Sequence, residues 1–248
     1  MFSVRLAGLV VRIDNQYDYV RRHCRDYIVE DSLEADITAS ATHEEILQEL
    51  GLQDETELSQ MEESKRLAIL AYGEGLCIYR HISREMVRFG GFLMHAAVVA
   101  VDGEAYAFTA KSGTGKTTHM RLWLDRFGER AEVVNGDKPI LRWINGTLYA
   151  YGTPWCGSEE MGNNMRAPLR ALCFVERSET NSITRIPPSD VIGRIFQQLL
   201  IPQDEETLDR FLALVEKMIA ETDCFLLRCN MQPEAAQVAW QGIQGVRE

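Results

Sequence analysis

The sequence predicts a mixed α/β fold with antiparallel sheet in its core, and three observations predict it. Ala110-Lys111-Ser112-Gly113-Thr114-Gly115-Lys116-Thr117-Thr118 joins a short alternating stretch to a helical one. Two dipeptides, Asp102-Gly103 and Asn145-Gly146, each separate apolar runs and signal two-residue hairpins. Beyond them, apolar runs suited to strands alternate with amphipathic helical segments. The first hairpin runs straight into the glycine-rich loop, which distinguishes it from a βαβ unit, where that loop follows a parallel strand.

In chain order, Phe2 to Ile13 reads as a strand or a pair of strands, with a helix over Tyr17 to Tyr27 and a strand at Glu34 to Ala39. Thr42-His43-Glu44-Glu45-Ile46 has the form of a helix start, closing near Gly51. The acidic run Gln53 to Glu63 is the best linker, or the solvated start of a helix. An amphipathic helix from Ser64 to about Arg88 follows, with Gly73 or Gly75 as candidate breaks. These pieces make a small α/β N-terminal region over residues 1–84, and a core over 85–248.

The core opens with the apolar strand Phe92 to Val101. Its two-residue turn makes paired residue numbers sum to 205, which sets His95 opposite Ala110, where the loop begins. Glu104 to Thr109 is the return strand. The helix Lys116 to Phe127 carries Met120, Trp123, Leu124 and Phe127 on one face and stops at Gly128. Glu132-Val133-Val134-Asn135-Gly136-Asp137-Lys138-Pro139 reads as a short apolar strand ending in a carboxylate, and the strands Pro139 to Ile144 and Thr147 to Tyr151 come next. Gly152 to Arg166 is irregular, a form that often makes a substrate loop. Trp155 there suits either stacking on a ligand or plain packing. Arg166 and Arg170 suit either an anion or the surface. Strands at Ala171 to Glu176 and Cys224 to Arg228, and helices at Pro188 to Leu200, Glu205 to Glu221 and Pro233 to Gly242, read as scaffold.

Composition excludes several classes. A net charge of −11, from 26 basic and 37 acidic residues, argues against nucleic acid and against an anionic membrane surface. Of five lysines, Lys111, Lys116 and Lys138 fall around the loop. Six cysteines without a C-x-x-C pair, and an N-terminus without a signal-peptide pattern, suit reduced thiols in a cytoplasm. No apolar run reaches membrane-spanning length.

The loop has the form [A/G]-x-x-x-x-G-K-[S/T], with Ala110 where Gly is usual. Gly113 and Gly115 let the backbone curl so that amides from Ser112 to Thr118 converge on a polyphosphate, as ATP would offer. Lys116 brings a point charge to its β/γ oxygens, and the Thr117 hydroxyl can ligate Mg²⁺. Asp137 stands about twenty residues after that lysine, where a carboxylate can hold Mg²⁺ or take a proton from a hydroxyl. His95 is either a satisfied core residue or, by its register, a neighbour of the γ-phosphate site.

His95, the loop fifteen positions on, and Asp137 together resemble the nucleotide core of HPr kinase/phosphorylase. That family is akin to ATP-dependent phosphoenolpyruvate carboxykinase, whose loop is also rich in Gly-Thr-Gly-Lys-Thr. The smaller HPr-kinase-like proteins, some of which accompany peptide-modification gene clusters, are more similar still. Thr118-His119-Met120-Arg121-Leu122-Trp123, Asn135-Gly136-Asp137-Lys138-Pro139, Gly152-Thr153-Pro154-Trp155-Cys156-Gly157, Asn163-Asn164 and Ala167-Pro168-Leu169 carry that likeness over roughly residues 85 to 240. It implies mixed and antiparallel sheets of the HPr kinase/carboxykinase type, and an ATP- and Mg²⁺-dependent kinase. The acceptor it implies is a seryl hydroxyl of a peptide or small protein; a small-molecule hydroxyl such as free serine stays open. Asp137 would be the base, His95 would orient it, and Lys116 and Thr117 would hold phosphate and Mg²⁺. The family is oligomeric, so a homo-oligomer is implied too. Two departures count against phosphorolysis and against HPr as substrate: Gly136 replaces the first of two adjacent acids, and the phosphorylase signature loop is not recognisable. A nucleotide-gated binding protein with little transfer activity is the alternative from another class. Carboxykinase chemistry is disfavoured by the lack of a second metal-ligand set.

Overall fold

The computed structural model describes residues 1–245, and the chain divides into two compact units, Met1–Met86 and Val87–Glu248.

In the first unit β1 (Phe2–Leu6) and β2 (Leu9–Asp14) form an antiparallel hairpin. Its turn is Ala7-Gly8, both at positive φ. α1 (Asp18–His23), β3 (Ile28–Val29) and β4 (Ile37–Ser40) follow. The sheet order is β3-β1-β2-β4, with β4 parallel to β2. α2 (His43–Glu49) starts in a full capping box: Glu45 N donates to Thr42 Oγ1 at 3.2 Å, and Thr42 N to Glu45 Oε2 at 2.7 Å. A short α3 (Thr56–Ser59) precedes α4 (Glu63–Met86). Neither Gly73 nor Gly75 breaks α4. They are places of close approach instead, since a Cβ would lie 2.9 Å from Leu50 Cγ at Gly73 and 3.2 Å from Tyr19 Cε1 at Gly75.

In the second unit, β5 (Gly91–Leu93), β6 (Ala97–Val101), β7 (Glu104–Thr109), α5 (Lys116–Phe127), β8 (Ala131–Asn135), β9 (Ile140–Ile144) and β10 (Thr147–Tyr151) come first. β11 (Arg166–Arg177), β12 (Ser182–Arg185), α6 (Pro188–Ile195), α7 (Glu205–Glu221), β13 (Asp223–Cys229) and α8 (Glu234–Gln244) complete it. Nine strands build a mixed sheet with the path β5-β9-β10-β11-β7-β6-β8, and β13 and β12 extend it from β11. Both hairpin turns are two-residue turns with positive φ at Asp102, Gly103, Asn145 and Gly146. β7 has an antiparallel partner in β6 and a parallel one in β11. β11 spans two regions: Ala167 and Pro168 pair with β10, and after a bulge at Leu169/Ala171 the strand runs parallel to β7 and β13. Each face of the sheet carries its own apolar cluster. Met94, Ala96, Val98, Phe174, Phe211 and Met218 lie in one, and Ala97, Val99, Tyr106, Phe108, Trp123 and Ala239 in the other.

Three expectations need correction. The strand over Phe92 to Val101 is two strands, β5 and β6, which bond to different neighbours. The predicted register holds from Val101↔Glu104 to Ala97↔Phe108 and stops there, so His95 and Ala110 are not a ladder pair. The reason is that His95 gives its backbone elsewhere: its N–H to Gln198 O at 2.7 Å and its carbonyl to Thr109 Oγ1 at 2.8 Å. The helix over Pro188 to Leu200 ends at Ile195 and tightens into a 3-10 turn, Phe196–Gln198.

Candidate functional site

β7 ends at Thr109 and hands the chain to the loop. Gly113 (φ 76°) and Gly115 (φ 120°) take conformations closed to most side chains, and no atom would touch a Cβ at either. Glycine is needed there for backbone reasons, not for room. Gly115 is the N-cap of α5 and offers no side-chain cap, so the first-turn amides keep no partner within the helix. Lys116 is buried, and its Nζ reaches back across the loop to Ala110 O at 3.0 Å. Burial lowers its pKa, and the charge of Asp137 works against that shift. Ser112 and Thr118 are exposed and Thr117 is half-buried. Arg177, at the end of β11, fixes the loop from outside: Nε donates to Thr114 O at 3.0 Å and Nη2 donates to Gly113 O. Within the loop, Thr114 N donates to Lys111 O at 3.2 Å.

Asp137 follows β8 at the same edge of the sheet. Asn135, fully buried, sets its position by a side-chain turn: Oδ1 accepts from Asp137 N at 2.9 Å and from Lys138 N at 2.7 Å. Its amide donates to Thr153 O and Oγ1, both at 3.1 Å, and Thr153 Oγ1 donates to Lys138 O at 2.7 Å. The chain around His95 is tied to the same segment, with Ala96 N bonded to Asp137 O at 2.9 Å and Met94 N to Pro139 O at 3.2 Å. That tie brings His95 Nε2 to 3.1 Å from Asp137 Oδ1, while Lys138 Nζ lies 3.4 Å from Oδ2. Burial pushes the Asp137 carboxyl up, but the His95 hydrogen bond and the Lys138 charge outweigh it and hold the group below the usual aspartate range.

The segment between β10 and β11 lies over this corner. A Cβ on Gly136 would come 2.8 Å from Cys156 O and 3.0 Å from Met161 O, and one on Gly157 would come 3.1 Å from Asp137 Cβ. Arg121 of α5 pairs with Glu159 at 2.5 Å, and Asn163 Nδ2 donates to Val133 O at 2.9 Å. Arg166 donates to Tyr151 OH at 3.0 Å and stacks over Tyr149. Arg170 is taken by Asp223 at 2.5 Å and so serves the scaffold.

Lys116, Asp137 and His95 thus meet with the loop at one end of the sheet. Sequence reading missed Thr153, Arg177 and Gln198 as parts of the site. An Asn two residues before the Asp at a strand end was a usable signal for a side-chain turn. Arg177 and Gln198 gave none, because the parallel pairing of β7 with β11 brings the first to the loop and a main-chain bond from His95 N brings in the second. Among the described residues no three His, Cys, Asp or Glu side chains gather as a metal site. The donors present, one carboxylate and one hydroxyl, fit Mg²⁺ completed by phosphate oxygens. Among the described residues no helix is long and apolar enough to cross a membrane, and all six cysteines are free.

No family model matches the chain, and no curated protein matches it. Among solved structures it is similar to the Hpr(Ser) kinase/phosphatase from Coxiella burnetii at 11% identity and a TM-score of 0.37, over 62% of this chain and 95% of that one. At that identity and TM-score the likeness assigns neither a family nor an activity, and function must be read from the residues themselves.

Proposed function

We propose that the chain is an ATP- and Mg²⁺-dependent phosphotransferase with a hydroxyl acceptor, best a seryl group of a peptide or small protein. The observation that carries this reading is Asp137, its Oδ1 3.1 Å from His95 Nε2, at the end of the sheet that also bears the phosphate loop. In this reading the loop amides and Lys116 hold the triphosphate and take up charge on the transferring group. Thr117 and Asp137 would hold Mg²⁺, which would supply charge neutralisation for the phosphates. The acceptor oxygen bonds to the γ-phosphorus as the bond to the bridging oxygen breaks, and ADP leaves. The hydroxyl proton passes to Asp137, whose second oxygen stays oriented by its neighbour. His95 and Lys138 keep Asp137 charged and aimed and do not themselves take the proton.

The test is incubation of the protein with Mg²⁺ and γ-labelled ATP against serine-containing peptides and free serine. Label on a hydroxyl supports the kinase. Gly136 in place of a second acid favours the other reading, a nucleotide-gated binder. Tight ATP binding without transfer to any acceptor would select it.

A further inference from the structure

Beside the phosphate loop, where β11 faces α6, lies a groove of about 790 Å³. Two of its lining residues, Thr109 and Gln198, are the ones that hold the His95 backbone, at 2.8 and 2.7 Å. The groove therefore adjoins the residue whose imidazole bonds Asp137. Its charged lining is Lys111, Arg177 and Arg194 against Glu176 and Asp190, three cations to two carboxylates, in a chain whose net charge is −11. Glu176 is matched twice, by Arg194 at 2.7 Å and Arg228 at 3.3 Å. Asp190 stands in the first turn of α6, where the helix dipole favours a carboxylate. Among the described residues Lys111 and Arg177 have no carboxylate partner. Gln198 is 6% exposed, and its Oε1 is buried without a hydrogen-bond partner.

We propose that this groove is the acceptor site and takes an anionic peptide segment, an inference that rests on the phosphotransferase reading above. Uncancelled cations at Lys111 and Arg177 would meet carboxylates flanking the reacting hydroxyl. The volume suits several residues of chain, since pockets of about 300–1,000 Å³ hold drug-sized ligands.

The experiment is fluorescence anisotropy on the full chain, without nucleotide, using a labelled peptide with one serine between glutamates and its counterpart with lysines. The glutamate peptide is expected to bind at least about tenfold more tightly. Arg194→Glu, and the milder Arg194→Gln should the first fold poorly, remove a cation from the wall and leave Glu176 to Arg228 alone, so both should shrink that preference while calorimetry finds Mg-ATP affinity unchanged. Equal affinity for both peptides, or a preference that survives both variants, overturns the proposal. So does a loss of Mg-ATP affinity in Arg194→Gln, which would give the groove to the nucleotide. Because the readout needs no nucleotide, a failure of phosphate transfer with the peptide preference intact would strike the phosphotransferase reading instead.

Discussion

His95 Nε2 lies 3.1 Å from Asp137 Oδ1, and the backbones of the two residues are tied by Ala96 N to Asp137 O at 2.9 Å. The imidazole is thus delivered by main-chain bonding as much as by its own hydrogen bond. Asp137→Asn keeps the shape and loses both the proton acceptor and the stronger metal ligand. Turnover should fall at least about 10²-fold with ATP affinity within about tenfold of wild type. His95→Ala should slow transfer more than it weakens ATP binding. Normal turnover in Asp137→Asn would move the base to a carboxylate of the 152–166 segment, such as Glu159 or Glu160.

Asn135→Ala should damage the same step from a distance. The change strands the amides of Asp137 and Lys138 and the hydroxyl side of Thr153, all held now by one buried side chain. A cost of about 1–3 kcal/mol is expected for such a buried loss. Urea unfolding measures it, and turnover should drop while calorimetry shows ATP affinity little changed. Wild-type stability and turnover together would mean that Asn135 does not position the carboxylate.

Local chemistry made much of this legible. Asp102-Gly103 and Asn145-Gly146 each demand positive φ, and β6 with β7 took the register that the turn dictates. The loop announced itself because glycine, lysine and threonine at that spacing do one job together. Long-range competition was not legible. His95 left the ladder because Gln198, over a hundred positions on, offered its carbonyl. β11 outran its expected bounds because its first residues pair with β10, a partner that periodicity within one segment does not name. Arg177 became part of the loop only through the parallel pairing of β7 with β11.

Lys116 separates function from stability. It is a buried cation whose one hydrogen-bond acceptor among the described residues is a neutral carbonyl, Ala110 O, so its charge sits at a cost. Lys116→Met should leave the urea midpoint unchanged or higher. ATP affinity should fall at least about tenfold, since the triphosphate loses its point charge. Unchanged affinity by calorimetry would remove the loop from nucleotide binding.

Adding a second acid beside Asp137 should fail. In Gly136→Asp the new Cβ meets two main-chain oxygens, Cys156 O and Met161 O, neither of which can swing aside as a side chain does. The 156–162 segment must move or the fold must strain, at a cost of about 1–3 kcal/mol. The variant should be less stable and no more active. A Gly136→Asp protein with full stability and faster transfer would show that this segment is free to lift from Asp137.

The last prediction concerns acid. His119 is 2% exposed on α5, accepts Trp123 Nε1 at its Nε2 at 3.0 Å, and has Cys229 Sγ 3.8 Å from Nδ1. Phe108 packs edge-on against the ring. Burial without a carboxylate partner drives its pKa from 6.5 down to about 4. The folded protein therefore keeps the imidazole neutral where the unfolded chain would protonate it. Above pH 6.5 both states are neutral and the group is silent. As pH falls from 6.5 toward 4 the unfolded state binds the extra proton, and stability drops by on the order of 3 kcal/mol before levelling off. His119→Gln retains an acceptor for Trp123 but cannot titrate. Urea midpoints at about pH 7.5 and about pH 4.5 should differ less in that variant than in wild type. An equal fall in both would mean that other groups carry the acid sensitivity and that His119 is protonated in the folded state.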